Sequence, residues 1–437
     1  MKKLKILGLS SVLATSLFGL QQPNYDYISM SMGGVGVASS YGSMSGYINP
    51  ALLNNKDNKR TELGLSVGIS IQEHELGDDL SKLDDADVSG TLDEIESGDG
   101  DNEDTEARAR KITDALDSLA NKTNNYLMLS PRAAFAFKLG THFSFGIYNK
   151  ADAKVKAVVD KDRLQYIYYD EDDDKYIKYE PKDGDDNDYS DSTEDDYKAY
   201  SVDYAMNEIN TTRLDVNSLA LTEIPITYSD SFQIKDTTIN WGVSAKYMVG
   251  TTSKTKILFT DDDYDPLDEL DKNSVDTQTF GLDMGVVIQP YDSGFKLGIS
   301  GKNLNGPEFD TIDDATYKLE PQVKVGLGYS STDLFDVEVD YDVNSINDEL
   351  TDTDYQYLSV GINFHPLTWF SLRAGLKDNL ADDYNGMIYT AGASFGLKWL
   401  QVDAAVQVSE NSGNYDGNDI PRYVNANIAI VSKWGDN

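Results

Sequence analysis

The sequence predicts an all-β protein, a single antiparallel transmembrane β-barrel of about 14 strands with an N-terminal hatch in its lumen. Three observations carry this expectation. Apolar and polar residues alternate with period two from Thr61 almost to the end of the chain. The alternating segments are mostly ~9–13 residues long, enough for a tilted strand to cross a hydrocarbon core and longer than the ~5–6 residues usual in soluble sheets. The connections between them are short and long by turns, as short periplasmic turns and longer external loops require.

The alternation reads most clearly in four places. Leu63, Leu65, Val67, Ile69 and Ile71 interleave with Glu62, Gly64, Ser66, Gly68 and Ser70. Phe335, Val337, Val339 and Tyr341 interleave with Asp336, Glu338, Asp340 and Asp342; Phe370, Leu372, Ala374 and Leu376 with Ser371, Arg373, Gly375 and Lys377. Leu400, Val402, Ala404 and Val406 do so with Gln401, Asp403 and Ala405. Segments of this kind lie at 61–73, 126–138, 142–159, 213–229, 239–258, 274–289 and 294–303, then at 320–331, 334–343, 355–365, 369–378, 386–397, 400–408 and 422–434. A soluble β-sandwich shares the period but has no reason to alternate its loop lengths. An even strand count puts both ends of the barrel on the periplasmic side.

The N-terminus reads as a cleaved signal peptide over residues 1–20. Lys2, Lys3 and Lys5 form a basic start, residues 6–20 are mostly apolar, and Gln21, Gln22 and Pro23 break the run. That stretch is too short and too interrupted to span a bilayer well, and no later one approaches ~20 continuous apolar residues. Any further membrane span must therefore be β. Residues 21–60, rich in Gly and Ser, are expected to fold back as a hatch, and 61–437 to form the barrel.

Charge and composition exclude several classes. Lys and Arg number 37 against 75 Asp and Glu, a net charge of −38, which argues against nucleic acid as a partner. Cysteine is absent, so there is no disulfide framework and no thiolate chemistry. The acidic excess gathers in two inserts, 74–125 with about −11 and 160–212 with about −12, both expected as external loops. Within the first, Ile112, Ala115, Leu116 and Leu119 predict a short amphipathic helix over 103–124; the second is too polar to form a core alone and reads as a solvated loop.

Catalysis finds no support. His74, His142 and His365 lie near the ends of different strands, and neither Gly-x-Ser-x-Gly nor His-Glu-x-x-His occurs. Asp183, Asp185, Asn187, Asp191 and Glu194 fall in an EF-hand-like register for Ca²⁺, although Asp188 stands where the loop wants Gly, and in so acidic a stretch a chance match is the simpler reading. Cation bridges from these carboxylates to lipopolysaccharide phosphates are a second expectation for the same loop. The strand faces opposite the apolar ones carry Arg132, Glu223, Lys246, Asp283, Lys302 and Lys324, and also Asp336, Glu338, Asp340, Arg373, Lys377 and Asp403. With the apolar face in lipid, these line the lumen, where mixed signs suggest ion pairs that hold the hatch or, alternatively, a polar permeation path.

Several stretches resemble a known family. Met32, Gly33, Gly34, Val35, Gly36, Val37 and Ala38, followed by Asn49, Pro50 and Ala51, look like the N-terminal signature of barrels similar to the long-chain fatty-acid transporter. Gly301, Lys302, Asn303, Leu304 and Asn305, with Leu319, Glu320, Pro321 and Gln322, resemble its conjugal-transfer TraF-like branch, as do His365, Pro366, Leu367, Thr368 and Trp369. The resemblance implies a fourteen-stranded barrel in a Gram-negative outer membrane, with its hatch built around Met32, Gly33, Gly34, Gly36, Asn49 and Pro50. It implies contact with outer-membrane lipid and lipopolysaccharide, and binding or passive transport of small, hydrophobic molecules. A structural part in a conjugal-transfer or secretion apparatus, with protein partners there, is the alternative.

Overall fold

A strand that is greasy on one side and polar on the other is stable in lipid only if the sheet closes, because an open edge would leave backbone groups unpaired in hydrocarbon. A computed structural model shows this closure. It describes residues 24–54, 61–100, 102–182, 188–259, 270, 272–291, 293–331, 334–397, 399–415 and 417–435. The proposed signal peptide lies outside the described residues.

The wall begins with β1 (Thr61–His74), β2 (Tyr126–Leu139) and β3 (Phe143–Val158). A small external sheet follows, of β4 (Tyr166–Asp170), β5 (Lys175–Tyr179) and β6 (Tyr189–Ser192). The wall resumes with β7 (Arg213–Ile234), β8 (Thr237–Ile257), β9 (Ser274–Pro290) and β10 (Phe295–Lys302). The hairpin β11 (Glu308–Asp310) and β12 (Thr316–Lys318) precedes β13 (Gln322–Ser330) and β14 (Phe335–Asp342). A second hairpin, β15 (Ile346–Asp348) and β16 (Thr353–Tyr355), leads into β17 (Tyr357–Leu367), β18 (Phe370–Asn379), β19 (Ile388–Leu397) and β20 (Leu400–Ser409). The hairpin β21 (Ser412–Tyr415) and β22 (Asn418–Pro421) stands before the last strand, β23 (Tyr423–Trp434). Fourteen strands make the closed barrel, each antiparallel to its neighbours, and β1 seals it against β23 from Thr61↔Trp434 to Gln72↔Tyr423.

Each expected segment coincides with a wall strand. The largest departure is β7, which runs to Ile234 instead of stopping near 229, because the register with β8 continues from Asp230↔Trp241 to Ile234↔Thr237 around a two-residue turn. Lys235 adopts φ 55° there, as a tight hairpin requires. The ladder between β2 and β3 skips Ser130 and Pro131, where proline has no N–H to give.

The faces are inside out relative to a soluble protein. Val67, Ile226, Phe280 and Phe395 are 59–68% exposed, while Glu62, Ser66 and Gln72 of β1, Lys246 of β8 and Asp283 of β9 are buried. Trp369, Trp399 and Trp434 are exposed at the short-turn end, as interfacial anchors are.

The acidic inserts depart from the expectation. The solvated loop expected over 160–212 is instead half of a folded cap. Helices Gly77–Asp85, Val88–Glu96 and Glu103–Ala120 come from the first insert. Their apolar stripes, including Ile112, Ala115, Leu116 and Leu119, pack against Tyr166, Tyr168, Tyr179, Val202 and Met206 of the second. The second insert alone is too polar to bury a core, and the helices of the first supply the apolar face that it lacks. Tyrosine ends tie the halves together: the Tyr166 hydroxyl donates to the Ala109 carbonyl at 2.6 Å, and Tyr179 to that of Gly100 at 3.0 Å.

Candidate luminal site

Residues 24–54 form the hatch. It contains helices Tyr27–Ser31 and Ser45–Ile48 and a 3-10 turn at Pro50–Asn54, and almost all of its residues are buried. The helix Tyr27–Ser31 starts where Asp26 accepts the Ile28 N–H at 2.9 Å, a normal N-cap. Burial pushes the Asp26 carboxyl up to about 6, although Ser40 and the backbone N–H groups of Ile28 and Ser29 pull the other way.

The hatch touches the wall backbone to backbone, and glycines in the strands make this possible. Gly361 and Gly375 face each other across β17 and β18. A Cβ on Gly361 would lie 2.2 Å from the Met32 carbonyl oxygen, and one on Gly375 would lie 2.5 Å from the Gly33 nitrogen. Thr390, opposite Gly375 on β19, accepts the Gly33 N–H at 2.8 Å and donates to the Ser31 carbonyl at 3.1 Å. Gly33 itself sits at φ 78°, a backbone state that only glycine adopts freely. Gly298 lies under Val37 in the same way, and Gly242 under Pro50.

Charged residues complete the fastening. Asp340 accepts the N–H groups of Gly36 and Val37 at 2.8 and 3.1 Å, and Glu338 accepts that of Ala38 at 2.6 Å and the Ser39 hydroxyl. Asn49 donates to the Val37 carbonyl at 2.7 Å and accepts the Ala51 N–H at 3.0 Å, folding the hatch on itself. Of the other inner-face residues, Lys246 bridges Glu223 at 2.9 Å and Asp283 at 3.1 Å, and Glu223 also takes the Tyr47 hydroxyl. Arg373 pairs with Asp403 at 3.1 Å. Asp336 lies 3.3 Å from His365.

The remaining cations do something else. A cavity of about 80 Å³ between hatch and wall is lined by Arg132, Lys150, Asp152, Lys324 and Lys377, with Asn24, Gly33 and Gly34 on the hatch side. A second, of about 50 Å³, shares Asn24, Gly34, Gln322 and Lys324 with it and adds Lys302. Sharing these four residues, the two adjoin in one luminal chamber. Ile346 and Tyr355 of the β15–β16 hairpin also line the first cavity. Below them Asp348 accepts the N–H groups of Leu350 and Thr351 at 3.0 and 3.2 Å. Burial, and then the nearby Asp152 charge, push its carboxyl up to about 6.

The sequence-derived candidates thus divide. Met32, Gly33, Gly34, Gly36, Asn49 and Pro50 sit together in the hatch. Glu223, Lys246 and Asp283 form one buried cluster and Arg373 and Asp403 another, Asp340 fastens the hatch, and Arg132, Lys302 and Lys324 face the chamber. For the Ca²⁺ register, Asp183, Asp185 and Asn187 lie outside the described residues. Asp191 belongs to β6 and lies 3.6 Å from Lys175, and Glu194 opens the helix Glu194–Tyr200, where it pairs with Lys198. Among the described residues no group of three or more acidic or histidine side chains is placed to hold a metal. The histidines are scattered: His74 stacks on Tyr384 at 3.6 Å and His142 contacts the Ser229 carbonyl at 2.9 Å. The wall glycines under the hatch were missed, although a glycine inside a strand is itself a sign of close backbone approach.

The signature of the family described as the F plasmid transfer operon TraF protein matches residues 46–342, more than half of the chain. The chain belongs to this family. No curated protein matches it. Among solved structures, the toluene transporter TodX of Pseudomonas putida superposes with a TM-score of 0.46 at 12% identity, covering 95% of this chain and 100% of that one. The toluene transporter TbuX of Ralstonia pickettii gives 0.45 at 13%, with 94% and 99% covered. A FadL homologue of Pseudomonas aeruginosa gives 0.44 at 11%, with 95% and 99% covered. Likeness of this degree says nothing about what this TraF-family chain binds.

Proposed function

We propose that this TraF-family chain is an outer-membrane barrel that binds small molecules in the chamber between hatch and wall and passes them on passively when the hatch shifts. The observation that carries the reading is that chamber: a cavity of about 80 Å³, with a second of about 50 Å³ beside it, between the closed wall and the N-terminal plug, lined by converging polar groups. The lipid-exposed apolar belt supports the outer-membrane location. Small hydrophobic molecules are the class the resemblance implies. The chamber lining is largely polar, so such a molecule would enter it by presenting a polar or charged group.

Proteoliposomes containing the full chain test the reading against a variant lacking residues 24–54. The intact protein is expected to admit small solutes slowly and the hatch-less barrel rapidly. A purely structural or assembly role, the alternative, predicts that no solute enters through the intact protein and that nothing co-purifies in its lumen by mass spectrometry.

A further inference from the structure

The chain carries about twice as many acidic as basic residues, yet its luminal chamber reverses that balance. Five basic side chains, Arg132, Lys150, Lys302, Lys324 and Lys377, line it against one carboxylate, Asp152. They come from five different strands, β2, β3, β10, β13 and β18, so the closure of the barrel brings them together. Arg132 and Lys324 are like charges acting on Lys377, with Asp342 as the opposite one.

Like charges gathered in a confined space are destabilising unless something of opposite sign answers them. Elsewhere in this lumen the protein provides the answer itself, as at Lys246 and Arg373. In the chamber it does so only in part. Lys324 has Asp342 at 3.0 Å and Lys150 has Asp152 at 3.4 Å. Arg132 is buried, gives one N–H to the neutral Asn425 side chain, and leaves its Nε–H without an acceptor. Lys377 lies over the rings of Tyr357 and Tyr423 at 4.8 and 5.4 Å, and Lys302 over that of Tyr47 at 3.7 Å. Rings hold a cation without neutralising it. Asn24 and Gln322 also line the chamber, with their side-chain N–H groups given to Ser29 and to Asp342.

We infer that the chamber is a binding site for a compact oxyanion group with two negative charges, a phosphate or a small dicarboxylate. An 80 Å³ cavity has room for roughly six waters, which suits such a group. Arg132 supplies the planar fork that oxyanions favour, and Lys324 and Lys377 supply point charges from across the lumen. The inference rests on the proposed luminal binding and adds the chemical class of the ligand.

Calorimetric titration of the full chain in detergent, at low ionic strength and pH 7.5, tests it with three probes: inorganic phosphate, succinate and acetate. Phosphate and succinate are expected to bind and to compete for one site, with acetate ~10-fold weaker or more. Lys377→Gln and Arg132→Gln are each expected to weaken phosphate by ~10-fold or more, while Lys122→Gln on the external cap changes nothing. Heat-modifiable gel migration confirms that each variant is folded, and Lys324→Gln replaces any that is not. Binding of phosphate alone or of succinate alone would assign the source within this class. The inference is overturned if a folded protein binds neither dianion, binds acetate as well as succinate, or binds phosphate equally after Lys377→Gln. Continued uptake of neutral solutes by proteoliposomes in that event would leave the luminal-transport reading standing while the anion site falls.

Discussion

Replacing both Gly361 and Gly375 by alanine is expected to lift the hatch off the wall without unfolding the barrel. Both positions are on strands, where alanine fits the backbone, and both point inward at the Met32–Gly33 peptide. The new methyl carbons would lie 2.2 Å from the Met32 oxygen and 2.3 Å from its carbonyl carbon. Real contacts of this kind need more than 3 Å, so the hatch must retreat by about 1 Å. Overpacking of this sort costs roughly 1–3 kcal/mol per site. The retreat also stretches the bonds of Thr390 to Gly33 and to Ser31, worth about 1 kcal/mol each. The summed penalty, roughly 4–8 kcal/mol if the sites act independently, falls on the stretch around residues 30–38, while the ladder of β17 with β18 is left intact. Hydrogen exchange in detergent should show faster exchange of the amides of Gly33, Gly36, Val37 and Ala38, with wall strands unchanged, and planar bilayers should show a higher conductance. Unchanged exchange across 30–38 in the double variant would refute the reasoning, because it would mean that the hatch does not bear on those glycines.

Two further outcomes follow from buried charge. Lys246→Met leaves Glu223 and Asp283 buried without their common cation, a loss of about 3–5 kcal/mol; the midpoint of the heat-modifiable gel transition should fall by several degrees, and an unchanged midpoint would contradict the role given to this cluster. Asp348 tests the sign of a titration. Its folded pKa of about 6 stands above the ordinary 3.8, so between about pH 4 and 6 the unfolded hairpin releases a proton that the folded one keeps. Stability of the β15–β16 hairpin should therefore decline as pH rises through that window, by about 3 kcal/mol at most, and stay level above it. Hydrogen exchange of residues 346–355, corrected for intrinsic rates, reads this directly, and Asp348→Asn should flatten it.

Much of this architecture follows from local pattern. Period-two alternation is a one-dimensional property, and lipid outside a closed wall rewards it at every strand, so the segments expected from 61, 126 and 213 begin at the same residues as β1, β2 and β7. The same alternation put Lys246, Asp283 and Arg373 on the inner face, and helical spacing put Ile112, Leu116 and Leu119 on one buried stripe. What the pattern left undetermined are relations between distant parts of the chain. The second acidic insert reads as solvent-exposed because its composition cannot bury a core singly, and only the tertiary structure sets the helices of the first against it. It likewise decided which luminal charges are answered by the protein, as Lys246 is, and which face a shared space, as Arg132 and Lys377 do. The physical reason is that a residue's face is set by its neighbours in sequence, whereas its partner is set by strand order and barrel closure, which bring β2 and β18 to one chamber although some 240 residues separate Arg132 from Lys377.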